Sequence, residues 1–73
     1  MENLITKASI NDICNVYLSN LPISIEEIEH LKDLDTTDTK LVKEELLKVA
    51  EKYKQRSNIT YNRIKDIVEN EIK

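Results

Sequence analysis

The chain has one histidine, His30, and one cysteine, Cys14, so few side chains are available for acid–base or nucleophilic chemistry. Covalent catalysis needs a nucleophile beside a base that a third group orients, and no such set occurs at a convincing spacing. A metal site can be drawn from His30 with Glu26 one helical turn before it and Asp33 one turn after it. These residues supply too few strong ligands for a metal ion. The sequence therefore predicts a protein that is not an enzyme and that has neither a metal site nor another cofactor.

Basic side chains are the second chemically useful group, and they are concentrated in one part of the chain. Residues 40–65 carry eight bases and three acids, whereas residues 22–39 carry six acids and one base, although the whole chain has a net charge of -3. A basic block of this kind attracts acidic partners such as nucleic acid. A surface that contacts only solvent has the same pattern, as does a surface on which two copies dock head to tail.

Composition limits the fold that can position these charges. Seventy-three residues fit one domain with a small core, and 40% hydrophobic residues are enough to fold it. With no glycine and one proline, the chain lacks the residues that tight hairpins and phosphate-binding loops use. We therefore predict a single all-α domain, a small four-helix bundle, over residues 1–73.

The spacing of apolar residues predicts where the helices lie. The four helices are expected near residues 3–19, 24–34, 38–55 and 58–71. For the first helix, Ser9 followed by Asp12 offers an alternative start, because the pair resembles a capping box. The clearest start is Ser24 with Glu27, where each side chain can accept from the backbone amide of the other. The linker 35–38 and Ser57 supply caps for the last two helices.

The same spacing predicts which side chains form the core. The first helix would bury Ile10, Ile13, Cys14, Tyr17, Leu18 and Leu21, and the second would bury Ile25, Ile28, Leu31 and Leu34. The third helix would bury Val42, Leu46, Val49, Ala50 and Tyr53, and the fourth would bury Tyr61, Ile64, Ile67, Val68 and Ile72. Cys14 is predicted to act as a small buried apolar residue, because no base lies near it in the sequence to activate it.

The last two predicted helices contain a recognisable arrangement within residues 46–65. A small residue, Ala50, is followed three positions later by Tyr53 and then by Ser57, which can cap a second helix, and residues 60–65 read TYNRIK. This arrangement resembles the helix-turn-helix DNA-binding motif, whose second helix reads roughly T-V-x-R-I-K. It departs from the motif in two ways: the turn has no glycine, and the interval from Ala50 to Ser57 is one residue longer than usual.

The resemblance implies a DNA-binding regulator whose second helix enters the major groove of duplex DNA. Ala50, Tyr53, Tyr61 and Ile64 would hold the crossing of the two helices. The side chains near phosphates would be Lys52, Lys54, Gln55 and Arg56. Those left for the groove would be Asn58, Thr60, Asn62, Arg63 and Lys65. A plain helix hairpin, in which the basic side chains cover apolar edges and keep their charges in water, is the structural alternative.

A protein-binding module is the alternative function from a different class. An inhibitor, immunity-like factor or adaptor would use the acidic second helix through Glu26, Glu29 and Asp33, or an exposed apolar stripe. Four short helices can also leave one stripe uncovered, which a homodimer would bury. A lone cysteine, together with the absence of a long apolar run, predicts a cytoplasmic protein that does not insert into a membrane.

Overall fold

The computed structural model describes residues 4–72, and its regular secondary structure is entirely helical. The α-helices are α1 (Leu4–Asp12), α2 (Ile25–Lys32), α3 (Thr39–Tyr53) and α4 (Asn58–Asn70), and a π-helical segment (Ile13–Tyr17) directly continues α1. This arrangement confirms the prediction of a small all-α bundle. The observed helices begin and end close to the expected positions.

The first helix begins well before Ser9. Leu4 is already helical, and Ser9 lies inside α1 with its side chain 7% exposed, so the predicted capping box at Ser9 and Asp12 is wrong. Asn3, the other expected start, lies outside the described residues. The apolar residues that precede Ser9 do extend the helix, but Leu4 and Ile5 are exposed on its surface.

The π-helical segment changes the register of the first helix. The backbone N–H of Leu18 donates to the carbonyl of Ile13, five residues earlier, at 2.9 Å. This wider turn lets Ile13, Cys14 and Leu18 all face the core. Burial raises the pKa of the Cys14 thiol, an effect that nearby Lys32 partly offsets. Cys14 is therefore a buried, protonated core residue, as predicted.

Side-chain caps start the other three helices, because the first amides of a helix have no partner within it. Ser24 Oγ accepts from the amide of Glu27 at 3.1 Å, and Asp38 Oδ1 accepts from the amide of Leu41 at 3.1 Å. Ser57 Oγ accepts from the amide of Thr60 at 3.1 Å. The reciprocal half of the box at Ser24 is not used, since the Glu27 carboxylate instead accepts from Lys52 Nζ at 2.8 Å.

One hydrophobic core joins the four helices and the π-helical segment. Its buried members are Ile10, Ile13, Cys14, Leu18, Leu31, Val42, Leu46, Ala50, Ile64, Ile67, Val68 and Ile72. The contact between α3 and α4 is the most extensive between any two elements of the described chain. Ala50 and Ile64, on these two helices, are 1% and 0% exposed.

The prediction that Ile25 is buried is wrong. Its side chain is 74% exposed, whereas Leu31 on the same helix is 1% exposed. A spacing of three residues falls short of a full helical turn by about 60°, so the series from Ile25 to Leu34 drifts around the helix. The core lies under Leu31, and the drift leaves Ile25 on the outside of α2.

Candidate nucleic-acid interface

The polypeptide turns sharply between α3 and α4. The amides of Arg56 and Ser57 both donate to the carbonyl of Tyr53 at 3.0 Å, which closes the last turn of α3. Ser57 then adopts extended backbone geometry, with φ of -155°, and caps α4. No described residue has a positive φ, so this turn needs no glycine. The missing glycine therefore does not prevent a helix–turn–helix path at this position.

Residues 52–65, which we call the α3–α4 corner, contain five bases and no acid. Three of these bases, Lys54, Arg56 and Lys65, are exposed and form no ion pair within the described part of the chain. Lys54 Nζ lies 4.6 Å from the centre of the Tyr61 ring, an interaction that keeps its charge and directs it towards α4. The exposed side chain of Gln55 lies between Lys54 and Arg56. The corner is therefore a cationic surface without compensating acids of its own.

The first turns of α4 present polar side chains outwards. Asn58, Asn62 and Lys65 are exposed and are separated by four and three residues, so they share one face of the helix. Ile59, which the sequence analysis left unassigned, is 81% exposed beside them. Its position off the core stripe formed by Ile64 and the buried residues after it was the available sequence signal.

Thr60 does not belong to this outward set, contrary to the expectation from sequence. Its side chain is 8% exposed, and its Oγ1 accepts from Ser57 Oγ at 3.0 Å. Thr60 lies four residues before Ile64, on the core side of α4, so its hydroxyl serves the cap of the helix. It is unavailable to a partner in the groove.

Arg63 is exposed, but its guanidinium is bound within the protein. Nε donates to the Tyr17 hydroxyl at 2.9 Å, and Nη1 donates to Asp66 Oδ2 at 3.2 Å. The hydrogen bond to Tyr17, followed by the negative charge of Asp66, raises the pKa of Arg63. Arg63 therefore fastens α4 to the π-helical segment, a contact across 46 residues of sequence that no local pattern indicates.

Lys52 is similarly held, although half of its side chain remains accessible. Its Nζ lies 2.8 Å from Glu27 Oε1, and this hydrogen bond raises the pKa of the lysine. The pair links the end of α3 to the start of α2, where Tyr53 Oη also donates to the carbonyl of Pro22 at 3.4 Å. Lys52 thus contributes to helix docking more than to the free charge of the corner.

The acidic residues of α2 form a separate surface. Glu26, Glu29 and Asp33 are exposed around Ile25, and their carboxylates have no hydrogen-bond or ion-pair partner among residues 4–72. On the next side of the helix, His30 Nε2 lies 3.6 Å from Glu45 Oε2. The two residues line a cleft of about 430 Å³ between α2 and α3, together with Ser24, Glu26, Glu27, Leu31 and Val49.

The cleft is not built as a metal site. No three His, Cys, Asp or Glu side chains in the described residues are placed so that they could share an ion. A search of the same residues for a helix with the length and apolar character required to cross a bilayer found none. Comparison with known proteins gave no matching family model, no matching curated protein and no matching solved structure.

Proposed function

We propose that this protein is a small DNA-binding regulatory protein without catalytic activity, and that it contacts duplex DNA through the α3–α4 corner. Support comes chiefly from the three exposed cations, Lys54, Arg56 and Lys65, on a stretch that contains no acid. Phosphates are contacted by such side chains, and base edges are contacted by exposed amides at the start of a second helix. Asn58 and Asn62 occupy that position.

The proposed assignment of side chains differs from the one that the sequence suggested. Lys54, Gln55 and Arg56 would contact phosphates, and Asn58, Asn62 and Lys65 would face the groove. Lys52 and Arg63 would contribute less, because each is already held by an acidic side chain within the fold. Thr60 is excluded by its burial.

Salt dependence tests this proposal. Each neutralised phosphate contributes about -0.9 to the slope of log affinity against log salt, so three cations give a slope of about -3. Affinity for a mixed-sequence duplex is therefore expected to fall about 40-fold between about 50 mM and 200 mM salt. Fluorescence anisotropy with a labelled duplex measures this change. Absence of binding at the lower salt concentration, or binding that does not vary with salt, would contradict the proposal.

A protein-binding role is the second candidate, and the outward face of α2 favours it. Glu26, Glu29 and Asp33 surround the exposed Ile25, which gives an apolar anchor with an acidic rim. A partner with a basic and apolar surface would complement that face. This role uses no residue of the α3–α4 corner, so the two candidates make different predictions about which amides respond to a ligand.

A further inference from the structure

We propose that α4 reads A·T base pairs in the major groove through Ile59 and Asn62, an inference that rests on the DNA-binding function proposed above. The two residues are three positions apart and lie next to each other on the outward surface of the helix. Each matches one half of an A·T pair. The observations that carry the inference are the exposure of Ile59, the free amide of Asn62 and the engagement of the nearby charged side chains.

Ile59 is an apolar side chain at a position where a soluble helix normally has a polar one. It is 81% exposed, and it lies beside Tyr17, Asn62 and Arg63 in a shallow surface groove. The major-groove edge of thymine presents a 5-methyl group, which apolar side chains contact. No other base pair edge in unmodified DNA offers an apolar group there. Ile59 therefore suits thymine.

Asn62 supplies the complementary recognition. Its amide is exposed and forms no hydrogen bond within residues 4–72, so both its donor and its acceptor are available. Adenine presents an acceptor at N7 and a donor at N6, which an asparagine side chain can bind with two hydrogen bonds. Guanine presents two acceptors at the same positions and matches this amide poorly. Asn58, one turn earlier, offers a second amide of the same kind.

The side chains that would read a G·C pair are already occupied. Arg63, which would suit guanine, donates to Tyr17 and to Asp66. The Asp66 carboxylate, which would suit cytosine, accepts from Arg63 and also from Asn70 Nδ2 at 2.7 Å. These contacts remove both charged readers from the surface around Ile59. The neutral readers that remain favour A·T pairs.

Three labelled duplexes of equal length test the inference: alternating A·T, the same sequence with deoxyuridine in place of thymine, and alternating G·C. Deoxyuridine lacks the 5-methyl group and keeps the base pairing. The protein is expected to bind the A·T duplex about fourfold more tightly than the A·U duplex, the value of about one buried methyl group. It is expected to bind A·T about tenfold more tightly than G·C.

Two variants assign these preferences to side chains. Ile59→Ala, whose side chain is too short to reach the methyl group, is expected to bind the A·T and A·U duplexes equally. Asn62→Ala is expected to lose most of the preference over G·C while keeping the preference for thymine over uracil. Equal binding of the original protein to A·T and A·U, with salt dependence retained, would overturn this inference and leave DNA binding standing. Absence of binding to all three duplexes at low salt would overturn both.

Discussion

Replacing Ile64 by alanine is expected to unfold most of the protein at room temperature. Ile64 is fully buried, and it lies in the contact between α3 and α4, which is the largest in the described fold. Truncation of a buried isoleucine to alanine costs about 2–5 kcal/mol. A core of this size supplies about 3–5 kcal/mol of net stability, so little or none would remain. Urea denaturation followed by the helical circular dichroism signal measures the loss.

Ile59→Ala is the matched control, because the same atoms are removed from the same helix at an exposed position. Its free energy of unfolding is expected to stay within about 0.5 kcal/mol of the original value. If Ile64→Ala has no folded baseline, Ile64→Val provides a graded step of about 0.5–1.5 kcal/mol. Equal denaturation midpoints for the position 59 and position 64 variants would show that α3 and α4 do not pack as described.

The double variant Lys54→Gln plus Arg56→Gln is expected to lower duplex affinity roughly 50-fold at about 0.1 M salt. The two substitutions remove two of the three free cations of the α3–α4 corner and keep a polar side chain at each position. The slope of log affinity against log salt should move from about -3 to about -1, because one cation remains. The loss should be similar for all sequences, since phosphates carry no sequence information. Anisotropy titrations at several salt concentrations measure both quantities.

Lys40→Gln plus Lys43→Gln is the control for net charge. These lysines lie near the start of α3, about 20 Å along the helix from Lys54, which exceeds the screening length of about 10 Å at this salt concentration. The control variant has the same net charge as the corner variant, and its affinity should change by less than about threefold. Equal losses for the two variants would mean that overall charge, not the corner, determines binding.

The parts of the fold that the sequence indicated are those governed by local physics. Ser24, Asp38 and Ser57 cap the helices that follow them, because each has an oxygen at the right distance in sequence from a free amide. The apolar periodicity of α3 and α4 likewise placed their buried faces correctly. Short α2 was less predictable, since eight residues give too few turns to define one face, and Ile25 was assigned to the wrong side.

The parts that could not be predicted depend on tertiary contacts. Tyr17 meets Arg63 across 46 residues, and Glu27 meets Lys52 across 25 residues. Nothing in the local sequence of α4 shows that its arginine is held by a tyrosine of the first helix. The π-helical turn at Ile13–Tyr17 also lacks a sequence signature, and it sets where Tyr17 lies. The composition of the candidate interface therefore changed more between sequence and structure than the helices did.

The most direct test of a DNA contact at the α3–α4 corner is a titration of the ¹⁵N-labelled protein with a mixed-sequence duplex, followed by amide chemical shifts. The account predicts the largest shifts at residues 54–65 and no systematic shift at Glu26, Glu29 or Asp33. Shifts concentrated on α2, or no shifts anywhere at low salt, would contradict it.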